Sequence, residues 1–209
     1  MARGRFITLE GGEGAGKSTL LARLQAALSA RDVPHIVTRE PGGTPLAEAA
    51  RALVLTPPGG EEWSPLGQAL LMNAARQDHL QRLIRPALMR GDWVLCDRFS
   101  DSTRVYQGIT GVPAATLDAL EHLVVADTLP DLTLILDGDP QLLAQRRAVR
   151  GTSDVFEQKD MTFHHGVRDA FLARAKSDPA RYVVIDALQA PERLAEIALT
   201  EIENRLGWP

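Results

Sequence analysis

The stretch Glu10–Leu20, EGGEGAGKSTL, places four glycines, an acid and a lysine between two apolar segments. Glycine costs backbone entropy wherever it is fixed, so a glycine cluster needs a structural reason. Residues 11–18 fit G-x-x-x-x-G-K-[ST], after the strand-like RFITLE and before a helix-like segment. In that context backbone N–H groups turn inward around phosphate oxygens, and the positive helix end faces the same anion. The stretch therefore predicts a P-loop that binds a nucleoside triphosphate.

Single positions of this loop have predicted roles. We expect Lys17 to reach the β- and γ-phosphates of ATP and the Ser18 hydroxyl to coordinate Mg²⁺. A dinucleotide-binding G-x-G-x-x-G pattern is excluded, because it requires glycine where Thr19 stands. The residues expected to contact ATP are Gly11, Gly12, Glu13, Gly14, Ala15, Gly16, Lys17, Ser18 and Thr19.

Two acids at the ends of apolar strands are candidates for the metal side of the site. Asp97 follows WVLC, and Asp137 follows LTLIL. An Asp at a strand end beside the phosphates can hold Mg²⁺ or its waters, although either acid could instead cap its strand end. We favour Asp97 because Arg98 follows at once and places a cation beside the same site.

Short apolar runs alternate with helical patterns along the rest of the chain. This alternation predicts an α/β fold with a five-stranded parallel sheet, helices on both faces and a single domain over residues 1–209. The predicted strands are 5–10, 35–38, 92–97, 131–137 and 181–186. The predicted helices are 17–30, a segment from 46, 66 to about 89, 114–126, and segments from 141 and 191.

Composition restricts the class of partner and the compartment. A net charge of −4 and a pI near 5.7 give no global basic field, so we expect no nucleic-acid partner. No apolar run approaches the roughly 18 residues of a membrane span, and the apolar N-terminal stretch is too short for a signal peptide. The single cysteine, Cys96, fits a reducing compartment. We therefore expect a cytoplasmic protein with no membrane partner.

Other features of the sequence restrict which class of P-loop protein this chain can belong to. A GTPase would have an Asn-Lys-x-Asp motif, which is missing, and large ATPase domains need more length. A small nucleotide or metabolite kinase remains. Over essentially its whole length the sequence resembles the bacterial thymidylate kinases. The matching segments are EGGEGAGKST, TREPGGTPLAE (38–48), AARQDH (74–79), DRFSDSTRVYQG (97–108), PDLTLILD (130–137) and SDVFE (153–157).

The resemblance implies a reaction, an assembly and a lid. The reaction is transfer of the ATP γ-phosphoryl group to the 5′-phosphate of dTMP, the fold is a P-loop kinase core, and the molecule is a homodimer. A short closing lid would occupy about residues 146–157. A phosphate acceptor with a second pKa of about 6 is mostly a dianion at neutral pH, so no general base is required. Positioning, Mg²⁺ and arginines are required instead.

The resemblance also assigns the acceptor phosphate and sugar. By match to the family motifs, Arg98 lies between the donor and acceptor phosphates, and Arg39 helps to hold the acceptor phosphate. Glu13 accepts a hydrogen bond from the dTMP 3′-hydroxyl. Tyr106 packs beneath the deoxyribose, where a 2′-hydroxyl would clash or lose its partners.

The thymine side is assigned in the same way. Arg76, on the long predicted helix, donates to a thymine carbonyl. Ser102 and Thr103 lie near the base edge, and Gln107 of the same motif belongs to the acceptor site. Met72 stands one helical turn before Arg76, where family members usually have a Phe that stacks on thymine. Met can still contact an aromatic ring, so we expect the pocket to persist with altered affinity.

The lid region is the second departure from the family pattern. Family members commonly carry an Arg after the lid Asp154, and this chain has Val155. Charge for the transferring phosphoryl group must then come from Arg146, Arg147 or Arg150. We expect Arg150 to contribute most and Arg146, four residues earlier on one helical face, to come second.

Two alternative functions remain open from the residues. One is a kinase for another nucleoside monophosphate or for a deoxynucleoside, and the latter would need an acid as base near the acceptor. The other is a P-loop regulatory protein that binds ATP and hydrolyses it slowly or not at all. The acceptor-side cluster of Arg39, Arg76, Arg98 and Tyr106 argues against the second alternative.

Overall fold

A five-stranded, all-parallel sheet forms the centre of the molecule. The structure is a computed structural model that describes residues 3–148 and 155–208, without the side chains of residues 147 and 148. The strands are β1 (Phe6–Gly11), β2 (His35–Arg39), β3 (Trp93–Asp97), β4 (Leu132–Asp137) and β5 (Tyr182–Asp186). Their order is β2-β3-β1-β4-β5, and every neighbouring pair is parallel. The prediction of a five-stranded parallel sheet is confirmed.

Helices connect the strands and cover the sheet. Within the described residues they are α1 (Lys17–Ser29), α2 (Pro45–Leu55), α3 (Pro65–His79), α4 (Arg85–Arg90), α5 (Ser100–Ile109), α6 (Ala114–Val124), α7 (Pro140–Ala148), α8 (Met161–Ser177) and α9 (Pro191–Leu206). A 3₁₀ turn spans Pro58–Gly60. None of the helices in the described ranges is both long and apolar enough to cross a membrane.

The alternation of side chains along β1 separates two cores. Ile7 and Leu9 point to the face where leucines of α1 pack with residues of α9. Phe6 points to the opposite face, where it meets the apolar side of α4. Helices α5 and α8 share that second face through a cluster around Phe171. Because strand side chains alternate with period two, Glu10 also points toward the α5 side.

The long helix predicted for residues 66 to about 89 is present, with an interruption. A π-helical turn, Leu80–Ile84, lies between α3 and α4. Pro86 follows within the first turn of α4. A proline has no N–H for the helical ladder, and its ring clashes with the carbonyl four residues earlier. The wider turn relieves that clash, so proline explains the break.

Two helices, α5 and α8, are absent from the sequence-based prediction. The buried face of α5 is mostly polar and includes Asp101, Thr103 and Gln107, so its apolar stripe is short. The buried face of α8 combines Val167 and Phe171 with a histidine, His164, which weakens the periodic signal. The Asp160 side chain accepts a hydrogen bond from Phe163 N at 2.8 Å and caps α8. That cap was the available sequence signal for α8.

The carboxyl ends of β1, β2 and β3 meet at one edge of the sheet. Asp97, the last residue of β3, lies opposite Leu9 of β1 and Arg39 of β2. The loops that follow these strands carry the P-loop, the TREPGGT segment and the start of α5. Open parallel sheets bind ligands at this edge, so the fold brings the three predicted motifs to one place.

Candidate functional site

The loop between β1 and α1 has the backbone conformation that its glycines predict. Gly11 has φ +130°, and a Cβ there would lie 2.3 Å from the carbonyl oxygen of Leu136. Gly16 caps α1 with φ 90°, in the left-handed region. The Lys17 Nζ atom donates to the carbonyls of Gly11 and Gly12, at 3.1 and 3.0 Å. The lysine therefore lies inside the curve of the loop, at the positive end of α1.

A cleft of about 210 Å³, here called the main cleft, opens beside this loop. All the side chains predicted for the acceptor side line it. These are Arg39, Met72, Arg76, Arg98, Ser102, Thr103, Tyr106 and Gln107. From the loop itself Glu13, Gly14, Gly16, Lys17, Ser18 and Thr19 also line it. The fold thus brings together residues that are far apart in sequence.

Arg98 is the centre of a charged cluster in the main cleft. Its Nη2 donates to Glu13 Oε1 at 2.5 Å and to the Tyr106 hydroxyl at 3.2 Å. Its Nη1 donates to Gly11 O at 3.1 Å and to Ser102 Oγ at 3.0 Å. The Tyr106 hydroxyl donates to the same Glu13 oxygen at 3.1 Å. These contacts fix the guanidinium against the P-loop.

Burial and neighbouring charges set the protonation states in this cluster. Burial alone would lower the pKa of Arg98, but Glu13 and then Tyr106 raise it above the ordinary arginine value. Burial and the Arg98 charge lower the pKa of Lys17. Burial raises the pKa of Tyr106 far above its usual range, so its hydroxyl remains protonated. The cluster therefore presents a permanent cation and a neutral hydroxyl.

The residues present fit a divalent metal on the Asp97 side. Ser18 Oγ donates to Asp97 Oδ2 at 3.3 Å. The other carboxylate oxygen, Oδ1, is buried and lacks a hydrogen-bond partner among the described residues. Asp137 is used differently, because Arg168 binds it through two hydrogen bonds of 2.7 and 2.8 Å. An unpaired buried carboxylate oxygen next to a hydroxyl is a donor set that Mg²⁺ prefers.

Arg76 is buried in a network at the floor of the cleft and is 3% exposed. Its Nε donates to Glu40 at 2.7 Å, and its Nη1 donates to Asn73 at 3.1 Å. Its Nη2 donates to Phe99 O at 3.2 Å and to Thr103 Oγ1 at 2.9 Å. Four of the five N–H groups of the guanidinium are therefore engaged. The second Nη1–H group has no acceptor among the described residues and is available for a ligand.

Other side chains form the rim and walls of the main cleft. Arg39 is half-exposed and pairs with Glu48 at 2.9 Å. Gln107 is buried and donates to Gln68 at 3.2 Å. Phe156, just beyond the undescribed segment, packs edge-on against Tyr106 with ring centroids 5.4 Å apart. Phe156 therefore brings the end of the predicted lid region to the wall of the cleft.

A second cavity of about 240 Å³ lies on the other side of the P-loop. Gly14, Ala15 and Thr19 line it together with Leu20, Arg146, Gln189, Pro191 and Leu194. The Arg146 guanidinium donates to Ala187 O at 2.7 Å and to Leu188 O at 3.3 Å. Arg146 is thus in this second cavity and is not part of the Arg98 cluster. Arg150, Asp154 and the Arg147 side chain lie outside the described part of the chain.

Sequence reasoning missed several residues of the site. Glu10 is buried beneath Arg98, and Glu40 accepts from Arg76 and from His79 Nδ1, the latter at 3.1 Å. His79 Nε2 lies 2.7 Å from Thr38 Oγ1. A charged residue inside an otherwise apolar strand was the sequence signal for Glu10, because such a group needs a buried partner. Glu40 and His79 had no such signal, since their pairing depends on the fold.

Comparisons with known proteins agree with this geometry. The family model described as thymidylate kinase matches residues 9–197. The thymidylate kinase of Caulobacter vibrioides is 48% identical over 208 residues, covering 99% of this chain and 100% of that protein. That of Nitrobacter hamburgensis is 52% identical over 191 residues, covering 90% and 83%. The crystal structure of thymidylate kinase from Ehrlichia chaffeensis superposes with a TM-score of 0.75 at 33% identity, covering 96% and 99%. This chain belongs to the thymidylate kinase family.

Proposed function

We propose that this protein transfers the γ-phosphoryl group of ATP to the 5′-phosphate of dTMP, giving dTDP and ADP. The observation that carries the proposal is the main cleft, where every side chain expected on the acceptor side meets the P-loop. Family membership supports the same reaction. A regulatory ATP-binding protein would have no use for this second, charged half of the cleft.

The chemistry needs charge neutralisation more than proton transfer. An oxygen of the dTMP phosphate forms the new bond to the γ-phosphorus, while the bond to the bridging oxygen of ADP breaks. The acceptor is mostly a dianion at neutral pH, so no base removes a proton from it. Fixed cations that face the transferring group lower the barrier, because they need no reorganisation during the step.

Lys17 and Arg98 are the cations best placed for this role. Lys17 is held inside the P-loop by two carbonyls, where it can contact the β- and γ-phosphates. Arg98 keeps its charge because Glu13 raises its pKa, and it faces the region between the loop and α5. Its four Nη N–H groups already donate to protein acceptors, so Arg98 would act mainly through the fixed positive charge of its guanidinium. Both side chains would therefore stabilise the charge that develops on the transferring group.

Ser18 and Asp97 would hold a magnesium ion. The unpaired Oδ1 atom of Asp97 and the adjacent Ser18 hydroxyl are the groups that support this assignment. A magnesium ion held there would supply positive charge that offsets the negative charge of the ATP phosphates. Asp137 is less suited to this role because Arg168 already occupies both of its carboxylate oxygens.

The dTMP base and sugar would contact the α3 and α5 walls of the main cleft. One Nη1–H group of Arg76 has no acceptor in the described ranges, which supports a contact to a thymine carbonyl. The contacts to Glu40 and Thr103 fix the orientation of the guanidinium. Glu13 and Tyr106 lie together, which suits recognition of the deoxyribose 3′-hydroxyl and exclusion of a 2′-hydroxyl. Met72 lines the same cleft and would contact the thymine ring.

The second cavity would receive the adenosine part of ATP. It adjoins the opposite side of the P-loop and is lined by Leu20, Pro191 and Leu194, which suit a flat base. Arg146 forms part of its wall and is tied to two carbonyls. We therefore assign Arg146 to donor binding. Arg150 remains our candidate for the lid arginine that contacts the transferring group.

We further propose that two copies of the chain form a homodimer. Leu66 and Leu70 are exposed on α3, and Leu123 is exposed on α6, the helix that packs against α3. Burying these leucines in an isologous contact would remove apolar surface from water. Light scattering after size exclusion tests this directly. A dimer that Leu70→Glu converts to a monomer is expected, and a wild-type monomer contradicts the proposal.

We also propose that the enzyme acts in the cytoplasm. Cys96, the single cysteine of the chain, is buried as a free thiol, which suits a reducing compartment. Fractionation of cells that express a tagged chain tests this proposal. Recovery of the tag with the membrane or periplasmic fraction would contradict it.

A coupled ADP-release assay tests the reaction itself. The acceptors are dTMP, dUMP, dGMP, AMP and thymidine, each with ATP and Mg²⁺. We expect dTMP to have the highest kcat/KM and thymidine to give no turnover. A higher kcat/KM with another nucleotide or with thymidine would show that dTMP is not the acceptor. ADP release that no acceptor accelerates would favour a regulatory ATP-binding protein.

A further inference from the structure

We propose that Glu10 is a positioning residue, which holds the start of α5 and, through Ser102, the Arg98 guanidinium in the geometry needed for phosphoryl transfer. The inference rests on the proposed function, because it assigns to Arg98 a role in that reaction. It concerns a side chain that does not line the main cleft and cannot contact a nucleotide.

The first observation is a helix cap supplied by a distant strand. Helix α5 begins after Phe99, and no side chain of its own caps it. Glu10, at the end of β1, takes that role. Its Oε1 accepts from Phe99 N at 2.8 Å and from Ser102 N at 3.3 Å. The Phe99 N–H group precedes the helix, and the Ser102 N–H group is shared between Glu10 and Phe99 O, which lies 3.2 Å away. A carboxylate is well suited to the positive end of a helix.

The second observation is a direct link to Arg98. The Ser102 hydroxyl donates to Glu10 Oε2 at 2.6 Å and accepts from Arg98 Nη1 at 3.0 Å. A hydroxyl that donates to a carboxylate becomes a better acceptor for the next donor in the chain. Glu10 therefore strengthens one of the contacts that orient the guanidinium, without touching Arg98 itself.

The third observation is that the Arg98 backbone needs support. Arg98 has φ +67°, a left-handed conformation that is uncommon for a residue with a side chain. Its N–H donates to Leu9 O at 2.9 Å, and its carbonyl accepts from the Cys96 thiol at 3.1 Å. Glu10 binds the next N–H group, that of Phe99. The end of β1 thus supports both sides of a strained residue, as strain at functional sites requires.

The charge on Glu10 has a cost to stability. Burial, and then the charge of Asp101 on α5, raise the pKa of Glu10 to about 7, against the pull of Arg98 and Ser102. Since the ordinary value is 4.5, the folded protein binds an additional proton between about pH 4.5 and 7. Stability therefore falls as the pH rises through that window. A group kept only for stability would not carry this penalty, so the penalty supports a functional role.

The test compares Glu10→Gln and Glu10→Ala with Thr8→Val as a matched control. Thr8 lies two residues earlier on the same buried face of β1, and its hydroxyl hydrogen-bonds across the sheet to the Thr133 hydroxyl at 2.8 Å. We expect Glu10→Ala to lower kcat about 100-fold, as misplaced catalytic groups do, and the ATP KM to stay within about twofold. Glu10→Gln keeps one acceptor oxygen and should lower kcat about tenfold. Thr8→Val should lower Tm and leave kcat unchanged.

Two further readouts separate positioning from simple structural support. Glu10→Gln removes the buried charge, so its Tm should exceed that of the wild type at pH 8, and the difference should shrink at pH 5. In an Arg98→Lys background, which keeps a cation but loses the fork, Glu10→Gln should have little additional effect on kcat. If Glu10 had only a structural role, Glu10→Gln would lower Tm and kcat together, and its loss of kcat would add to that of Arg98→Lys.

A third readout does not need turnover and separates this inference from the proposed function. The Arg98 Nε–Hε signal in ¹⁵N-labelled protein, assigned by its loss in Arg98→Lys, should shift and broaden in Glu10→Gln but not in Thr8→Val. The ADP-release assay with different acceptors shows whether dTMP is the acceptor. The Arg98 Nε–Hε signal tests the contact from Glu10 through Ser102 to Arg98, whatever the acceptor is. The proposal is overturned by an unchanged Arg98 signal in Glu10→Gln, by unchanged kcat, or by losses that add to those of Arg98→Lys. If Glu10→Ala does not fold, Glu10→Gln alone decides.

Discussion

The main cleft and the second cavity lie on opposite sides of one P-loop and are built from different materials. The main cleft contains charged side chains that pair across the sequence, such as Glu13 with Arg98, 85 residues apart. The second cavity is lined by backbone and aliphatic groups, and its described cation, Arg146, is bound by carbonyls. We infer that the main cleft is organised for electrostatic stabilisation and the second cavity for shape. Removal of a charged group from the main cleft should lower kcat, and substitutions in the second cavity should raise the KM for ATP.

The largest effect is expected at Arg98. Arg98→Ala should lower kcat by roughly 10³–10⁵, the range known for arginines that stabilise phosphoryl transfer. The matched control is Arg104→Ala on α5, the helix that follows Arg98, because Arg104 is an arginine that pairs with Asp118 and Glu121 outside the main cleft. Steady-state kinetics should give near-normal kcat for that control. Equal kcat values for Arg98→Ala and Arg104→Ala would contradict the electrostatic role that we assign to the main cleft.

Lys17 should give the second largest effect. Lys17→Ala should lower kcat by roughly 10²–10³, because it removes a donor aimed at charge that develops during transfer. The fold should persist, since the lost contacts are two hydrogen bonds to the P-loop. Lys176→Ala, at an exposed position of α8, is the control. Near-normal turnover in Lys17→Ala, with intact circular dichroism, would contradict the P-loop assignment.

Arg146 tests the second cavity. Arg146→Ala should raise the ATP KM about tenfold, the equivalent of one charged hydrogen-bonding group, and change kcat less. The control is Arg193→Ala, which lies on α9 near the same cavity and pairs with exposed Glu196 at the surface. A fall in kcat without a change in ATP KM would place Arg146 with the catalytic arginines, and the second cavity would then not be a purely binding surface.

The smallest effect is expected at Met72. Met72→Phe should tighten dTMP binding by roughly 0.5–1.5 kcal/mol, the gain typical of aromatic stacking. Calorimetric titration with dTMP measures it, and Met89→Phe at an exposed position serves as the control. Weaker binding in a folded Met72→Phe variant would mean that the cleft is shaped around methionine.

The sequence was sufficient for the parts that local chemistry determines. The P-loop and the five strands follow from glycine spacing and apolar runs, and the structure agrees with both. Helix α5 was missed because the residues that face inward serve the cleft rather than the core. Asp101, Thr103 and Gln107 face inward beside only two buried apolar residues of the helix, Val105 and Tyr106, so the apolar pattern was too short to recognise.

The pairing of charges could not be predicted, because it depends on which strands become neighbours. The order β2-β3-β1-β4-β5 brings Glu40 to Arg76 and Glu10 to Ser102, contacts that span 36 and 92 residues. The motifs indicated that Arg76 binds a ligand, but not that most of its donors are already used. Long-range pairing of this kind is visible only after the chain has folded.

The Cys96 thiol, which lies next to Arg98, is a built-in probe of local opening of the structure. It is the single cysteine of the chain, it is fully buried, and burial, with Glu40 and Asp97 nearby, raises its pKa well above the ordinary value. In the closed protein it should not react with thiol reagents, since the reactive form is the exposed thiolate. The rate at which it becomes alkylated under native conditions therefore measures how often β3 opens. Because the Cys96 Sγ–H donates to the Arg98 carbonyl, the same alkylation rate reports how stably the backbone at Arg98 is held in place.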